Sequence, residues 1–165
     1  MDKKIIEVNE RVFDKKALEV IESYKKSLRD TLEGHGDIVE DLVNVSAGKN
    51  GLFVKNHSIP IFFEFEDFGG KTVNPDGSYK PIISMTVSTI IYIPKLTLKE
   101  RVTFMEKLAE RINVMMFYYE DDNYALKVHS DFIDDLNMTV NALQGASAVI
   151  ASHRFITDCL EDKKK

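Results

Sequence analysis

The first sustained pattern along the chain is helical. Ala17, Leu18, Ile21, Tyr24, Leu28 and Leu32 recur at steps of three and four, with Lys25, Lys26, Arg29 and Asp30 between them. That spacing gives one apolar stripe on an amphipathic helix. Asp14 is placed to cap it, and Gly34 and Gly36 to stop it, so the spacing predicts a helix over about 15–33. Residues 37–50 stay open: Ile38, Val39, Leu42, Val43 and Val45 suit a short helix or a strand.

From Leu52 the period changes to two. Leu52–Lys55 reads as a short strand and Asn56-His57-Ser58 as a turn. Ile59–Glu66 reads as a second strand, with Ile61, Phe63 and Phe65 on one face and Phe62, Glu64 and Glu66 on the other. The glycines, prolines and Asn74-Pro75-Asp76-Gly77 signal of Gly69–Pro81 predict a loop. Ile82–Ile93 is the longest strand: Ile83, Met85, Val87, Ile91 and Ile93 alternate with Ser84, Thr86 and Ser88, as in a sheet covered on one side only.

Thr97-Leu98-Lys99-Glu100 is a capping box. It opens a helix whose stripe is Leu98, Val102, Met105, Leu108, Ala109 and Ile112, closed by Asn113. Val114–Glu120 and Tyr124–Ser130 form a hairpin around Asp121-Asp122-Asn123. Asp131 is expected to cap a last helix with Phe132, Ile133, Leu136, Val140, Leu143, Ala146 and Ile150 inward, continuing to Ile156 and Leu160 with Gly145 its weak point. The expected fold is α+β: two layers, an antiparallel five-stranded sheet with helices on one face, in the order α-β-β-β-α-β-β-α. It forms a single domain over 1–165, with 1–13 and 161–165 as frayed termini.

Composition narrows the function. The 165 residues are 44% hydrophobic and 30% charged, enough for one core and inconsistent with a disordered chain. Twenty-seven acidic against 22 basic residues leave a net charge of −5, which argues against nucleic-acid binding. No secretory signal is expected at the N-terminus, and Ile82–Ile93 is too short and too interrupted to span a bilayer. The single cysteine, Cys159, permits no intramolecular disulfide and fits a reducing, cytoplasmic compartment.

Candidate chemistry is sparse. Gly69-Gly70-Lys71-Thr72 lacks the earlier glycine of a phosphate loop, whose position holds Phe65, and Val73-Asn74-Pro75 cannot open the required helix. His35, His57, His129 and His153 have no metal-ligand spacing, and Cys159 has no recognisable base beside it. The acidic groups Glu120-Asp121-Asp122 and Asp131, Asp134, Asp135 are accounted for by a turn and a helix N-terminus. No catalytic residue, cofactor or metal is expected. Met115-Met116-Phe117-Tyr118-Tyr119 puts large apolar groups on both faces of one strand, which marks a covered strand or a partner contact.

The helix Leu98–Arg111, the hairpin Met116–Leu126 with its acidic turn, and the capped helix from Asp131 resemble the YbjN-like family, whose fold is similar to that of type III secretion chaperones. The resemblance covers roughly residues 14–160 in element order and implies a non-enzymatic, often dimeric protein that binds other proteins. The resulting expectation is a protein-binding or chaperone-like module of the bacterial cytoplasm, a homodimer or the carrier of a protein client. Met115, Phe117 and Tyr119 are its main contact residues, with Phe53 and Phe62 beside them. The alternative is a small-ligand binder or hydrolytic enzyme in which His57, His129, Glu64 and the acidic turn converge on a deep pocket.

Overall fold

A computed structural model describes residues 15–44, 49–55, 57–93, 95–111, 114–119, 123–133 and 137–161, without the side chains of 43–44, 49, 114–119 and 123–127. The elements run α1 (Lys15–Gly34), β1 (Val39–Asn44), β2 (Lys49–Val54), β3 (Ile61–Val73), β4 (Tyr79–Ile93), α2 (Leu98–Ala109), β5 (Val114–Tyr119), β6 (Asn123–Ile133) and α3 (Met138–Glu161). Among the described residues the strands form one antiparallel sheet in the order β1-β2-β3-β4-β6-β5. The α+β class, the antiparallel sheet and its helical layer are as the periodicity indicated. The sheet gains one strand, β1, from the 37–50 stretch that suited helix and strand alike.

α1 forms because its apolar positions share a face: Ala17, Ile21, Leu28 and Leu32 are buried against the sheet. It stops at Gly36, whose φ of +90° only glycine adopts easily, and the Asp37 amide closes back on the Leu32 carbonyl at 3.1 Å. In β3 and β4 the odd-numbered residues Ile61, Phe63, Phe65, Ile83, Met85 and Val87 point into the same layer, joined by Met138, Ala142, Ala146 and Val149 of α3. A second cluster fills the other end, where Ile91, Ile93 and Val128 of the sheet meet Phe104 and Leu108 of α2 and Ile156 and Cys159 of α3. Thr89 lies between the two clusters in sequence and is fully buried. Its hydroxyl finds no hydrogen-bond partner among the described residues.

Several expectations are corrected. Gly69–Pro81 is mostly not loop: β3 runs on to Val73 and β4 begins at Tyr79. A bulge between Asp67 and Lys71, with Gly69 at φ +82°, absorbs the glycines without ending the strand. Only 74–78 turns. Asp131 does not cap a helix. It sits within β6, together with Phe132 and Ile133, and α3 begins at Met138.

The α2 stripe is also shifted. The capping box forms as expected, Thr97 Oγ1 accepting from the Glu100 amide and Glu100 Oε2 accepting from the Thr97 amide. Yet Leu98 and Val102 are 69% and 50% exposed, and Phe104 and Leu108 take the buried side. In α3 Val140 faces out, and Gly145 is a close-packing site. A Cβ there would stand 2.9 Å from both Phe132 and Val87 side-chain atoms. Ile112, Asn113, Leu136 and most of both termini expected to fray lie outside the described residues; Glu161 ends α3.

Lys25 is buried near one edge of this layer. Its ammonium meets Glu22 at 3.1 Å, Asn50 Oδ1 at 2.9 Å and Asp41 at 3.1 Å, while Arg29 reaches Asp41 at 3.0 Å and the Val39 carbonyl at 2.7 Å. Hydrogen bonding to Lys25, opposed by some desolvation and reinforced by the charges of Lys25 and Arg29, holds the Asp41 carboxyl below the usual carboxylate range. The edge strand β1 is thereby fastened to α1.

Candidate functional site

The helices pack on one face of the sheet, and the even-numbered residues of β3 and β4 line the other. Register joins Glu40, Phe53, Phe62, Ser88 and His129 into one row across five strands. The next row is Leu42, Gly51, Glu64, Thr86 and Asp131. Cross-strand neighbours on one face interact directly, and these do: the rings of Phe53 and Phe62 stack at 5.0 Å between centres. Ser88, between Phe62 and His129, is only 1% exposed despite lying on the side that no described helix covers. Gly51 allows the β2 and β3 backbones to close, since a Cβ there would run into the Phe63 carbonyl.

Beside this aromatic pair is a polar network. Asp131 Oδ1 accepts from the Thr86 hydroxyl at 2.7 Å, and Asp131 Oδ2 contacts His129 Nδ1 at 2.8 Å. A carboxylate that fixes one imidazole nitrogen leaves the other for exchange with solvent or a bound group. The pair was concealed in the sequence by the placement of Asp131 in a helix. Alternation along a strand, which puts residues two apart on one face, is the signal that finds it. At the far end of the row Lys55 and Glu40 pair at 2.7 Å, and the Glu40 carboxylate raises the Lys55 ammonium above its ordinary range. Tyr92 and Ile133 continue the face as exposed large side chains, 62% and 55% open.

Of the five residues expected to meet a partner, Phe53 and Phe62 are thus brought together. Met115, Phe117 and Tyr119 belong to β5, at the opposite sheet edge from β1, and their side chains lie outside the described ones. Backbone register aligns Met115 with Lys127 and Ile90, and Phe117 with Ala125 and Tyr92.

Among the described residues His57, His129 and Glu64 do not converge on a pocket. His57 is exposed on the bend after β2, His129 and Glu64 occupy neighbouring rows of an open face, and the acidic turn 120–122 lies outside the described residues. Among the described residues no three His, Cys, Asp or Glu side chains are placed to hold a metal ion. His153 is half-buried on α3, where desolvation pushes its imidazole below the ordinary value. Among the described residues no helix is long and apolar enough to cross a membrane.

No family model matches this chain, and no solved structure matches it. The chain is similar to a translationally-controlled tumor protein homolog of Gibberella zeae, 35% identical over 66 residues. The match covers 39% of this chain and spans 38% of that relative's length. It overturns the resemblance to YbjN-like proteins and type III secretion chaperones, and with it the expectation of a chaperone-like module of the bacterial cytoplasm. That resemblance rested on element order, which unrelated proteins share because few arrangements of helices on a sheet are stable.

Proposed function

We propose that this chain is a non-enzymatic protein that works by pairing with another polypeptide, in the first instance a second copy of itself, at the β5 edge of its sheet. The observation that carries this reading is the unequal treatment of the two edges. β1 has the sequence Val39-Glu40-Asp41-Leu42-Val43-Asn44, and both its carboxylates are engaged in ion pairs. Charged side chains of this kind blunt a sheet edge against further pairing. β5 is Val114-Met115-Met116-Phe117-Tyr118-Tyr119, with no charge and no proline, and no described strand pairs with its outer side. Two such strands in antiparallel register bring no like charges together and satisfy both rows of backbone groups about a two-fold axis.

Phe53, Phe62 and Tyr92, on the face that no described helix covers, supply apolar surface that such an assembly would extend. The absence of a recognisable catalytic motif in the sequence supports a role without bond-making chemistry. A cytoplasmic location is part of the same reading, supported by a lone cysteine that is buried and unbridged.

Sedimentation of the whole chain tests it. A concentration-dependent dimer is expected, and Phe117→Asp should shift it to monomer while thermal unfolding changes little. A wild-type chain that sediments as a monomer at every concentration overturns the proposal. So does a Phe117→Asp variant that stays dimeric while its melting temperature collapses.

A further inference from the structure

α2 carries two apolar stripes, and the core takes only one of them. Phe104 and Leu108 are buried with Ile91 and Ile93 of β4, Val128 of β6 and Ile156 and Cys159 of α3. Leu98, Val102, Met105 and Ala109 follow one another at steps of four, three and four. At 3.6 residues per turn they form a second line, about a third of a turn around the helix from the buried pair. Leu98, Val102 and Ala109 are exposed, and Met105 is partly covered by the core. Such spacing makes a seam along which one helix packs on another.

Charge indicates which helix fits. A helix dipole favours carboxylates in the first turn and cations in the last, and Glu100 and Lys107 are so placed. Both lie on the side of α2 away from the seam. Lys99 and Glu106 flank the seam, are exposed, and have the opposite arrangement: a cation in the first turn and a carboxylate in the last. Within one chain that placement is slightly unfavourable. Set antiparallel to a copy of itself, the same flank becomes self-complementary.

We propose that α2 packs antiparallel on α2 of a second copy. Leu98 meets Ala109 of the partner subunit, and Val102 meets Met105 of the partner subunit, each contact made twice about a two-fold axis. Lys99 then stands beside Glu106 of the partner subunit. A parallel pair would set Ala109 on Ala109 and bring no carboxylate to Lys99. Four layers on a helix about 18 Å long bury less than a stable dimer needs. The seam therefore adds to the pairing at β5, and rests on that reading of a second copy. Residues 110–113 alone join α2 to β5, and both pairings are antiparallel, so one two-fold axis can generate both.

Sedimentation of the whole chain at low salt tests the seam. Lys99→Glu and Glu106→Lys each turn two attractions into two repulsions and should weaken the dimer about tenfold, and the double reversal should restore it. Each single reversal suits the dipole of α2, so the melting temperature of the dilute, monomeric chain should hold or rise. Val102→Lys, which carries a charge into the seam, should weaken the dimer about a hundredfold. A dimer that Phe117→Asp dissociates and the α2 variants leave unaltered overturns the seam and spares the β5 pairing. Single reversals that weaken association without rescue by the double also overturn the seam. A dimer that the α2 variants weaken and Phe117→Asp leaves intact overturns the β5 pairing alone. A chain that is monomeric at every concentration overturns both.

Discussion

Phe62 and Phe63 are neighbours in β3 and the same residue, yet they live in different solvents. Phe63 is fully buried in the layer between sheet and helices, while Phe62 is half-covered by Phe53 on the side no described helix reaches. β4 repeats the contrast over its whole length, with Ile83, Met85 and Val87 against Ser84 and Thr86. The lesson is that one face of this sheet stores stability and the other is available for contact. Two residues depart from the division. Thr89 carries into the core a hydroxyl with no partner among the described residues, and Ser88 is buried on the open side.

The largest expected effect comes from truncating the two phenylalanines separately. Phe63→Ala should cost about 3–5 kcal/mol in chemical denaturation, since it leaves a cavity in the core. Phe62→Ala should cost about 1 kcal/mol, mainly its stacking on Phe53. Equal losses would mean that both faces are core. Gly145→Ala should destabilise by about 1–2 kcal/mol, because overpacking against Val87 and Phe132 outweighs the gain in helix propensity.

Thr89→Val removes the hydroxyl at nearly constant volume and should stabilise by about 1 kcal/mol, read as a higher denaturation midpoint. A loss instead would reveal a polar partner for that hydroxyl. The smallest effect is that of pH on Asp41. Its folded pKa is depressed, so its contribution is present above the ordinary value near 3.8 and is lost as pH falls below it. Asp41 is largely exposed, so solvent screening keeps the contribution small. Asp41→Asn should flatten part of the acid limb of the stability curve and leave neutral behaviour nearly unaltered once its own offset is subtracted.

Much of this was legible. Period-two alternation over 82–93 foretold the burial of Ile83, Met85, Val87, Ile91 and Ile93, though not of Ser88 and Thr89, and Thr97 with Glu100 foretold how α2 begins. The misreadings have physical causes. β1 stayed open between helix and strand because its inward position at Asp41 is filled by a carboxylate serving buried Lys25, so the apolar alternation is broken by an ion pair rather than by a turn. Gly69 and Gly70 looked like loop because glycine marks turns and bulges alike, and periodicity cannot tell them apart. Asp131 imitated a helix cap because Phe132 and Ile133 follow it. On β6 that pair instead divides between the two faces, Phe132 packed on the core and Ile133 exposed.

The placement of β6 between β4 and β5 has a consequence for synthesis. Of the described strands β6 is synthesised last, yet it fills the middle of the sheet's second half. Until Asn123–Ile133 emerges, the β4 backbone from Ser84 to Ile93 and the whole of β5 lack the neighbour they share. Two apolar segments of the nascent chain are thus left waiting for one later strand, and a codon change that slows translation just before Asn123 would prolong their exposure.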